Sequence, residues 1–354
     1  MRTGPRLTPD GSLEALWRLC AACLGLSLAV VASDLLAASL LENDATWRAS
    51  QDPRERILWD SRFDGSPVVL IGDSEFCSFF VDAPAETLWE RISARSGKKA
   101  FPAALNAATP MDMMLVAKRV AALWPSGTTA FIDIIPTRIF VPHWTSLPTA
   151  SHYGAQLRLL VDDRHASEGW LQRLEGRLTF ELARHSFLIR NQEWVLRYVI
   201  ARLKGGPEDY AATRSRTWDI DGDFALNRFR ALEATLAAGS VDRVVPFSWV
   251  RSLEEILSER GIRPVFVLTP LNDALIHEYS DKKVPTEQVL TSSHDYLVRE
   301  LLAGGFSFID LFRGLDSAFF ADLNHTNRRG DDALAGTLSD SLVGRRPAHG
   351  PSAH

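Results

Sequence analysis

Val68-Val69-Leu70-Ile71-Gly72-Asp73-Ser74-Glu75 is the stretch of sequence that decides the fold. Its four apolar residues, most of them β-branched, predict a short strand buried on both faces, as in a parallel sheet. The Gly-Asp-Ser that follows is typical of a turn and can present a hydroxyl group at the carboxyl end of the strand. Most such tripeptides are ordinary turns. An α/β fold nevertheless places nucleophiles at this position, so Ser74 is a candidate nucleophile.

Asp322 and His325 lie together in one predicted loop, just ahead of an apolar-periodic stretch that predicts a closing helix over 327–342. A serine nucleophile needs a base to take its proton, and the base needs a carboxylate to hold its tautomer. We therefore expect Ser74 to be the nucleophile, His325 its base and Asp322 the orienting carboxylate. The alternative is that Asp322 only caps the last helix and His325 is a surface residue.

The combination of Gly-Asp-Ser at 72–74 with Asp-x-x-His at 322–325 resembles the SGNH/GDSL hydrolase family, over roughly residues 66–342. The resemblance implies a flavodoxin-like sheet and a seryl-acyl intermediate. Two blocks depart from the family pattern. Asn106-Ala107-Ala108-Thr109 lacks the glycine that usually follows the asparagine, and 131–138 lacks the family's Gly-x-Asn-Asp.

The departures bear on the oxyanion hole. We expect the backbone N–H of Ser74 and one near 107–109 to hold the oxyanion, with Asn106 and Thr109 as the candidate residues of the second block. Thr137 or Arg138 is expected to replace the missing asparagine of the third block.

The sequence Gly-Asp-Ser-Glu at 72–75 also resembles the opening of a divergent, membrane-anchored subgroup of this family. The alginate O-acetylation proteins and the D-alanyl transfer proteins of teichoic acid assembly belong to it. The resemblance implies O-acetyl transfer to, or removal from, a cell-envelope polysaccharide, with the acyl group supplied by a membrane-bound O-acyltransferase partner and no soluble cofactor. The alternatives are a general carboxylesterase or lipase-like hydrolase, and a catalytically silent binding subunit of a polysaccharide assembly complex.

A basic segment, 1–18, precedes an apolar run over 19–41, and acidic residues follow it. This charge pattern predicts a transmembrane signal anchor that begins in the cytoplasm, because cytoplasmic flanks are basic. The expected location is therefore the inner (cytoplasmic) membrane, single-pass, with the catalytic domain periplasmic or extracellular. Asp34 is expected near the far interface. A cleaved signal peptide and a buried amphipathic helix are the alternatives.

The rest of the chain predicts an α/β fold with a flavodoxin-like parallel sheet of about five strands. Further strands are predicted over 101–106, 128–135, 264–268 and 306–311, with helices between them. We predict a stalk over 42–65, an SGNH-like domain over 66–344 that contains a helical cap insertion over about 141–246, and a disordered tail over 345–354. Trp218, in the insertion, is the best candidate for stacking on a sugar.

Composition and cysteine content exclude several classes of function. The 354 residues carry a net charge of −5, which argues against a nucleic-acid partner. Cys20 and Cys23 fall in the apolar run and Cys77 is expected in the core, so no disulfide framework is predicted. There is no His-Glu-x-x-His, no glycine-rich phosphate loop and no zinc-binding cysteine–histidine set, so we expect neither a metal nor a cofactor.

Overall fold

The computed structural model describes residues 9–42, 44, 47, 58, 67–78, 84–105, 108–135, 170–203, 247–281 and 286–344. Predicted site residues Asn106, Thr137, Arg138 and Trp218, and the predicted tail, lie outside these ranges. The chain divides into two compact units. One consists of Met1–Gln51 with Arg164–Pro207, and the other of Asp52–Asp163 with Glu208–His354.

Helices and strands alternate through much of the described chain. In chain order the helices are α1 (Pro9–Glu42), α2 (Leu88–Ser96), α3 (Pro110–Leu123), α4 (Trp170–His185), α5 (Phe187–Arg190), α6 (Gln192–Leu203), α7 (Ser248–Ser258), α8 (Asp273–Asp281), α9 (Thr286–Ala303) and α10 (Arg328–Leu342). The strands are β1 (Val68–Ile71), β2 (Ala100–Pro102), β3 (Thr129–Ile134), β4 (Arg263–Leu268) and β5 (Phe308–Asp310).

The described strands form one five-stranded sheet in the order β2-β1-β3-β4-β5, and every pair of neighbours is parallel. This is the flavodoxin-like order, in which the chain reverses direction across the sheet between β1 and β3. The predicted fold class is therefore confirmed. Ligands of such sheets bind outside the carboxyl ends of the strands near this reversal, and Gly72-Asp73-Ser74 follows β1 directly.

Successive side chains of each strand point to opposite faces of the sheet, so the core forms two layers. Val69, Ile71 and their counterparts on β3 and β4 pack against α3, α7, α8 and α9 on one face. Val68, Leu70 and their counterparts pack against α2 and α10 on the other face. Both layers are apolar, so residues that face either layer are mostly apolar, and the polar residues of the strands (Thr129, Asp133, Arg263 and Asp310) lie at or near strand ends.

The boundaries of several elements differ from those predicted. The strand predicted over 101–106 ends at Pro102, which is tolerated because β2 lies at the edge of the sheet. Helix α3 begins at Pro110, since Thr109 and Asp112 form a capping box at its start. Helix α8 was not predicted, because its nine residues carry too few apolar positions to show a clear period.

Gly72 allows the β1 turn to lie against the end of β3. Asp133 accepts the Asp73 N–H with both carboxyl oxygens, at 3.1 and 2.9 Å. A methyl group added at Gly72 would overlap this carboxyl group. The site therefore requires glycine for space.

We expect Gly72→Ala to lower the stability of the sheet unit by about 1–3 kcal/mol, the cost of overpacking a rigid core. The apparent Tm of the full chain, followed by tryptophan fluorescence, measures this. Gly336→Ala is the matched control, because its added methyl would meet only the end of Arg95, and alanine favours a helix. An unchanged Tm for Gly72→Ala would contradict the close approach of Asp133.

Helix α1 contains the one stretch of the described residues that is long and apolar enough to cross a membrane, the 22 residues Cys20–Leu41. At 1.5 Å per residue they span about 33 Å, slightly more than a hydrocarbon core. Length and composition are the basis of this assignment, and an N-terminal signal sequence shares both. Most of its large apolar side chains are exposed, including Leu24, Leu28, Leu35 and Leu40.

Asp34 is buried against the start of α5, and its expected place near the far membrane interface stays a prediction. Its carboxyl group accepts the Ser186 hydroxyl at 2.6 Å and the N–H groups of Phe187 and Leu188, both at 2.8 Å. Trp47 packs against Phe187 in the same unit and is 3% exposed. The helices of the inserted segment thus pack with the N-terminal helix in one unit.

Two residues of the predicted stalk are also buried. Trp47 belongs to the helical unit just described, whereas Leu58 is fully buried in the core of the sheet unit. The Leu58 carbonyl accepts the Arg119 Nε–H at 2.7 Å. At these positions the segment between the apolar helix and β1 packs against folded structure.

Candidate active site

Ser74 lies at the carboxyl end of β1, in a short 3₁₀ turn over Ser74–Cys77 whose residues are all buried. Asp73 caps this turn, and its Oδ1 accepts the Ser74 N–H at 2.6 Å. Cys77 fills the turn from inside the core, as expected, with its thiol directed to the carbonyl groups of Asp73 and Ala104. The turn fixes the backbone of the predicted nucleophile.

His325 and Asp322 are paired within one loop, as the sequence predicted. His325 Nδ1 lies 2.6 Å from Asp322 Oδ2, and Asp322 Oδ1 accepts the backbone N–H of His325 at 2.7 Å. His325 is 9% exposed, and its other ring nitrogen, Nε2, is buried. A carboxylate on Nδ1 holds the proton there, which directs the basic electron pair of Nε2 outward from the pair.

The electrostatics of Asp322 suit an orienting carboxylate. Burial by itself would raise the pKa of Asp322, but the hydrogen bond and charge of His325 outweigh it, together with the backbone N–H groups of Asn324 and His325. The net effect holds the pKa of Asp322 below its usual value. Asp322 is therefore ionised at neutral pH, as an acceptor for the imidazole requires.

The cap of α10 is Asn327, and not Asp322. Asn327 Oδ1 accepts the N–H groups of Arg329 and Gly330, at 2.9 and 3.2 Å. The alternative in which Asp322 only caps the last helix is thus wrong.

Asn324 joins the histidine loop to the nucleophile turn. Its Nδ2 donates to Glu75 Oε1, and Glu75 is the residue directly after Ser74. Ser74 Oγ donates to the other carboxyl oxygen, Glu75 Oε2, at 3.3 Å. A single carboxyl group thus contacts both the predicted nucleophile and the loop that carries the predicted base.

Asn272, just beyond β4, anchors the same loop from the other side. Its N–H donates to the Leu323 carbonyl at 2.8 Å, and its Nδ2 donates to the Asp322 carbonyl at 3.2 Å. An antiparallel bridge between Phe320 and Thr326 closes the loop. Three contacts therefore hold the loop: those of Asn272, the bridge between Phe320 and Thr326, and the bond to Glu75.

Glu75 and Asp133 are two buried acidic side chains at the nucleophile turn, Glu75 within the turn and Asp133 bound to the Asp73 N–H. Burial raises the pKa of Glu75 well above its usual value, and the charge of Asp133 adds to this effect. Burial likewise raises the pKa of Asp133. The two carboxyl groups thus disfavour ionisation of each other, because neighbouring negative charges in a buried site repel.

Both expected oxyanion donors have acceptors within the chain. The Ser74 N–H is bound by Asp73 Oδ1. The N–H of Thr109 donates to Asp112 Oδ2 at 2.9 Å, as part of the capping box of α3. Capping residues supply such acceptors for the first N–H groups of a turn or helix. The oxyanion role of Ser74 N–H and Thr109 stays a prediction.

Sequence reasoning missed Glu75, Asn324 and Asn272 as parts of the site. Glu75 and Asn324 lie beside predicted catalytic residues, and Glu75 also ends the Gly-Asp-Ser-Glu motif, but neither signal assigns a contact to them. Asn272 carries no such signal, since a turn after a strand commonly contains asparagine. Within the described ranges, no group of His, Cys, Asp and Glu side chains is arranged to hold a metal ion.

Asp331, in the first turn of α10, stabilises the loop through a hydrogen bond with Thr326. It accepts the Thr326 hydroxyl and is fully buried. Burial raises the pKa of Asp331 to about 6, although the hydroxyl groups of Ser78 and Thr326 and the charge of Arg91 oppose this. Asp331 therefore changes its charge in the neutral to mildly acidic range.

We expect Asp331 to make the chain less stable as the pH rises. Its pKa is about 6 in the folded state against 3.8 as the reference value, so its contribution is fully present below pH 3.8 and is lost as the pH rises through 6. At pH 8 the cost is roughly 3 kcal/mol. Unfolding of the full chain and of Asp331→Asn is compared at pH 4 and pH 8.

Asparagine keeps an acceptor for Thr326 and cannot ionise. The variant should therefore gain stability relative to wild type at pH 8 and not at pH 4. The comparison isolates Asp331 from Glu75 and Asp133, whose pKa values are raised in the same direction. An equal difference between the two proteins at both pH values would contradict the prediction.

The solved structures similar to this chain include the two below, whereas no family model and no curated protein matches. One is a protein from Desulfitobacterium hafniense DCB-2, provisionally assigned as a lipolytic protein of the G-D-S-L family. It shows 11% identity over 78% of this chain and 98% of the other, with a TM-score of 0.35. The second is a provisionally assigned acylhydrolase from Bacteroides fragilis NCTC 9343, with 10% identity over 83% and 99% and a TM-score of 0.38.

Proposed function

We propose that this chain is a serine acyl hydrolase of the SGNH/GDSL type, with Ser74 as nucleophile, His325 as general base and Asp322 as the orienting carboxylate. The observation that carries the proposal is the His325–Asp322 pair at 2.6 Å, in a loop that Asn324 binds to the residue next to Ser74. The motif resemblance at 72–74 and 322–325 supports the same class.

The reaction has two halves. Ser74 Oγ attacks the acyl carbonyl carbon while His325 Nε2 takes the hydroxyl proton, and Asp322 stabilises the imidazolium that forms. Collapse of the tetrahedral intermediate breaks the ester bond, and His325 returns the proton to the departing alkoxide. The acyl group is then bound to Ser74. An acceptor hydroxyl attacks it in the second half, again with His325 as base, and Ser74 regains its proton.

The acceptor is proposed to be a hydroxyl group of a cell-envelope polysaccharide, so that the net reaction is O-acetyl transfer to the polymer or, with water, its removal. The resemblance at 72–75 supports this substrate class. The apolar helix over Cys20–Leu41 fits an anchor in the cytoplasmic membrane, with the sheet unit outside the cytoplasm. The acyl donor would come from a membrane-bound O-acyltransferase partner, and Trp218, Thr137, Arg138 and Asn106 remain proposed contacts of the substrate.

The test uses the full chain in detergent with p-nitrophenyl acetate, with and without an oligosaccharide acceptor. Release of nitrophenol reports formation of the acyl-enzyme, and the ratio of free acetate to acetylated sugar separates hydrolysis from transfer. A fluorophosphonate probe, followed by peptide mapping, should attach to Ser74, because it reacts with activated serines and needs no acceptor.

The rival function, a catalytically silent binding subunit, is favoured by one observation: the expected oxyanion donors are bound by Asp73 and Asp112. A chain that releases no nitrophenol and takes up no probe, yet binds the oligosaccharide, would support it and contradict the proposed hydrolase. If free acetate is the only product with every oligosaccharide tested, the chain is a hydrolase and the proposed transfer to a polysaccharide is contradicted.

A further inference from the structure

Glu75 binds both halves of the candidate site, although no step of the mechanism uses it. It is 4% exposed, in the buried turn that follows Ser74. Burying a carboxyl group costs free energy unless its hydrogen bonds are replaced. Its hydrogen bonds go to Asn324, through Oε1, and to Ser74, through Oε2. The position of this carboxyl group is thus tied to the geometry of the site.

The bond to Asn324 reaches His325 through the backbone. Asn324 directly precedes His325, and Asp322 Oδ1 accepts the N–H groups of both residues, at 3.0 and 2.7 Å. These two bonds make the loop over Asp322–His325 a tight turn and link the backbone of Asn324 to that of His325. Fixing the Asn324 side chain therefore fixes where the imidazole lies relative to Ser74.

The surroundings of Glu75 favour its neutral form. Burial raises the pKa of Glu75, and the nearby charges of Asp133 and Asp322, both acidic, add to this effect. A neutral carboxyl group both donates and accepts hydrogen bonds. In that form Glu75 contacts the Ser74 hydroxyl without taking its proton, which leaves that proton to His325.

We propose that Glu75 is a positioning residue for the reaction at Ser74, which holds the His325 loop at the nucleophile by binding Asn324 through one oxygen and Ser74 through the other. The proposal rests on the proposed serine hydrolase function and adds a residue to it. Glu75 acts on the distance and angle between nucleophile and base, so its loss affects the chemical step and leaves substrate binding unchanged. A misplacement of about 1 Å between reacting groups costs on the order of 10²-fold in rate.

The experiment is a double-mutant cycle in the full chain, with Glu75→Ala, Asn324→Ala and the double variant. We expect each single variant to lower kcat for p-nitrophenyl acetate by about 10–100-fold at nearly constant KM. The double variant should be no slower than the slower single variant, because both changes remove the same bond. The rate of fluorophosphonate attachment to Ser74 should fall in parallel, since it needs the same base.

Two further variants separate positioning from packing. Glu75→Gln keeps an oxygen that accepts from Asn324 and places an amide group at Ser74, whose hydroxyl oxygen can accept from it, so the variant should stay within about threefold of wild type. Cys77→Ala opens a small cavity in the same buried turn and leaves the side chains of Glu75 and Asn324 intact, so it should keep kcat within about twofold. If Glu75→Ala does not fold, Asn324→Ala carries the test alone, because it removes the same bond from the loop side.

Several outcomes would overturn the positioning role. These are additive losses in the cycle, a loss in Glu75→Ala no larger than in Cys77→Ala, a Glu75→Gln variant as slow as Glu75→Ala, or an Asn324→Ala variant with unchanged kcat. All of them are read against an active wild type. A wild-type chain that neither hydrolyses the ester nor takes up the phosphonate would instead contradict the proposed function, and the positioning role with it.

Discussion

Replacing Ser74 by alanine is expected to lower kcat/KM for acetyl-ester hydrolysis by about 10⁴-fold or more, the loss seen when a serine nucleophile of a triad is removed. The side chain supplies the only atom that bonds to the acyl group in the proposed mechanism, so no acyl-enzyme forms without it. The measurement is steady-state hydrolysis of p-nitrophenyl acetate by the full chain, together with mass analysis for a trapped acetyl group.

Ser293→Ala is the matched control for this variant. Ser293 is also a fully buried serine, but its hydroxyl donates to the Val289 carbonyl within α9. Its removal should leave kcat/KM within about twofold and shift Tm about as far as Ser74→Ala does, because each loses one buried hydrogen bond. A folded Ser74→Ala protein that keeps more than a tenth of wild-type activity would show that another group is the nucleophile.

Asp322→Asn is expected to lower kcat by about 10⁴-fold, since an amide in place of the orienting carboxylate favours the wrong tautomer of the histidine. Asp322 Oδ2 lies 2.6 Å from His325 Nδ1, and an Nδ2 group there would donate to Nδ1 and force the proton to Nε2. The Nε2 atom then has no electron pair with which to accept the Ser74 proton. Substrate binding does not involve this pair of residues, so KM should change little.

The loop itself should survive the change, because asparagine retains the Oδ1 that accepts the N–H groups of Asn324 and His325. Asp316→Asn is the control: Asp316 also accepts a backbone N–H in the preceding turn, from Ala318 at 2.8 Å, in an exposed position. It should keep full activity. Equal activities of Asp322→Asn and wild type would remove Asp322 from the mechanism.

The sequence alone predicted the sheet and most of its helices, because their signals are local. Four apolar residues followed by Gly-Asp-Ser indicate a buried strand and its end, whatever lies beyond them. The sequence did not predict helix α8, because a short helix shows little periodicity. The predicted start of α3 was too late, because the cap at Thr109 depends on side-chain geometry.

The sequence was also sufficient to propose the trio of Ser74, His325 and Asp322. Parallel strands share one carboxyl edge, and Asp322 and His325 are close enough in sequence to pair within one loop. The resemblance of both motifs to one family pointed to the same residues.

Only the tertiary structure decided which groups surround that trio. The bond from Asn324 to Glu75 joins residues 249 positions apart, and Asp133 reaches Asp73 across 60 positions. The same holds for Asp34, whose hydroxyl partner Ser186 lies 152 positions away. Burial and hydrogen bonding of a polar side chain depend on which distant segment packs on it, and a neighbouring charge shifts its pKa only once the fold has brought the two together. Local pattern therefore determines where strands end and where a reactive residue is placed, whereas long-range packing determines what that residue contacts.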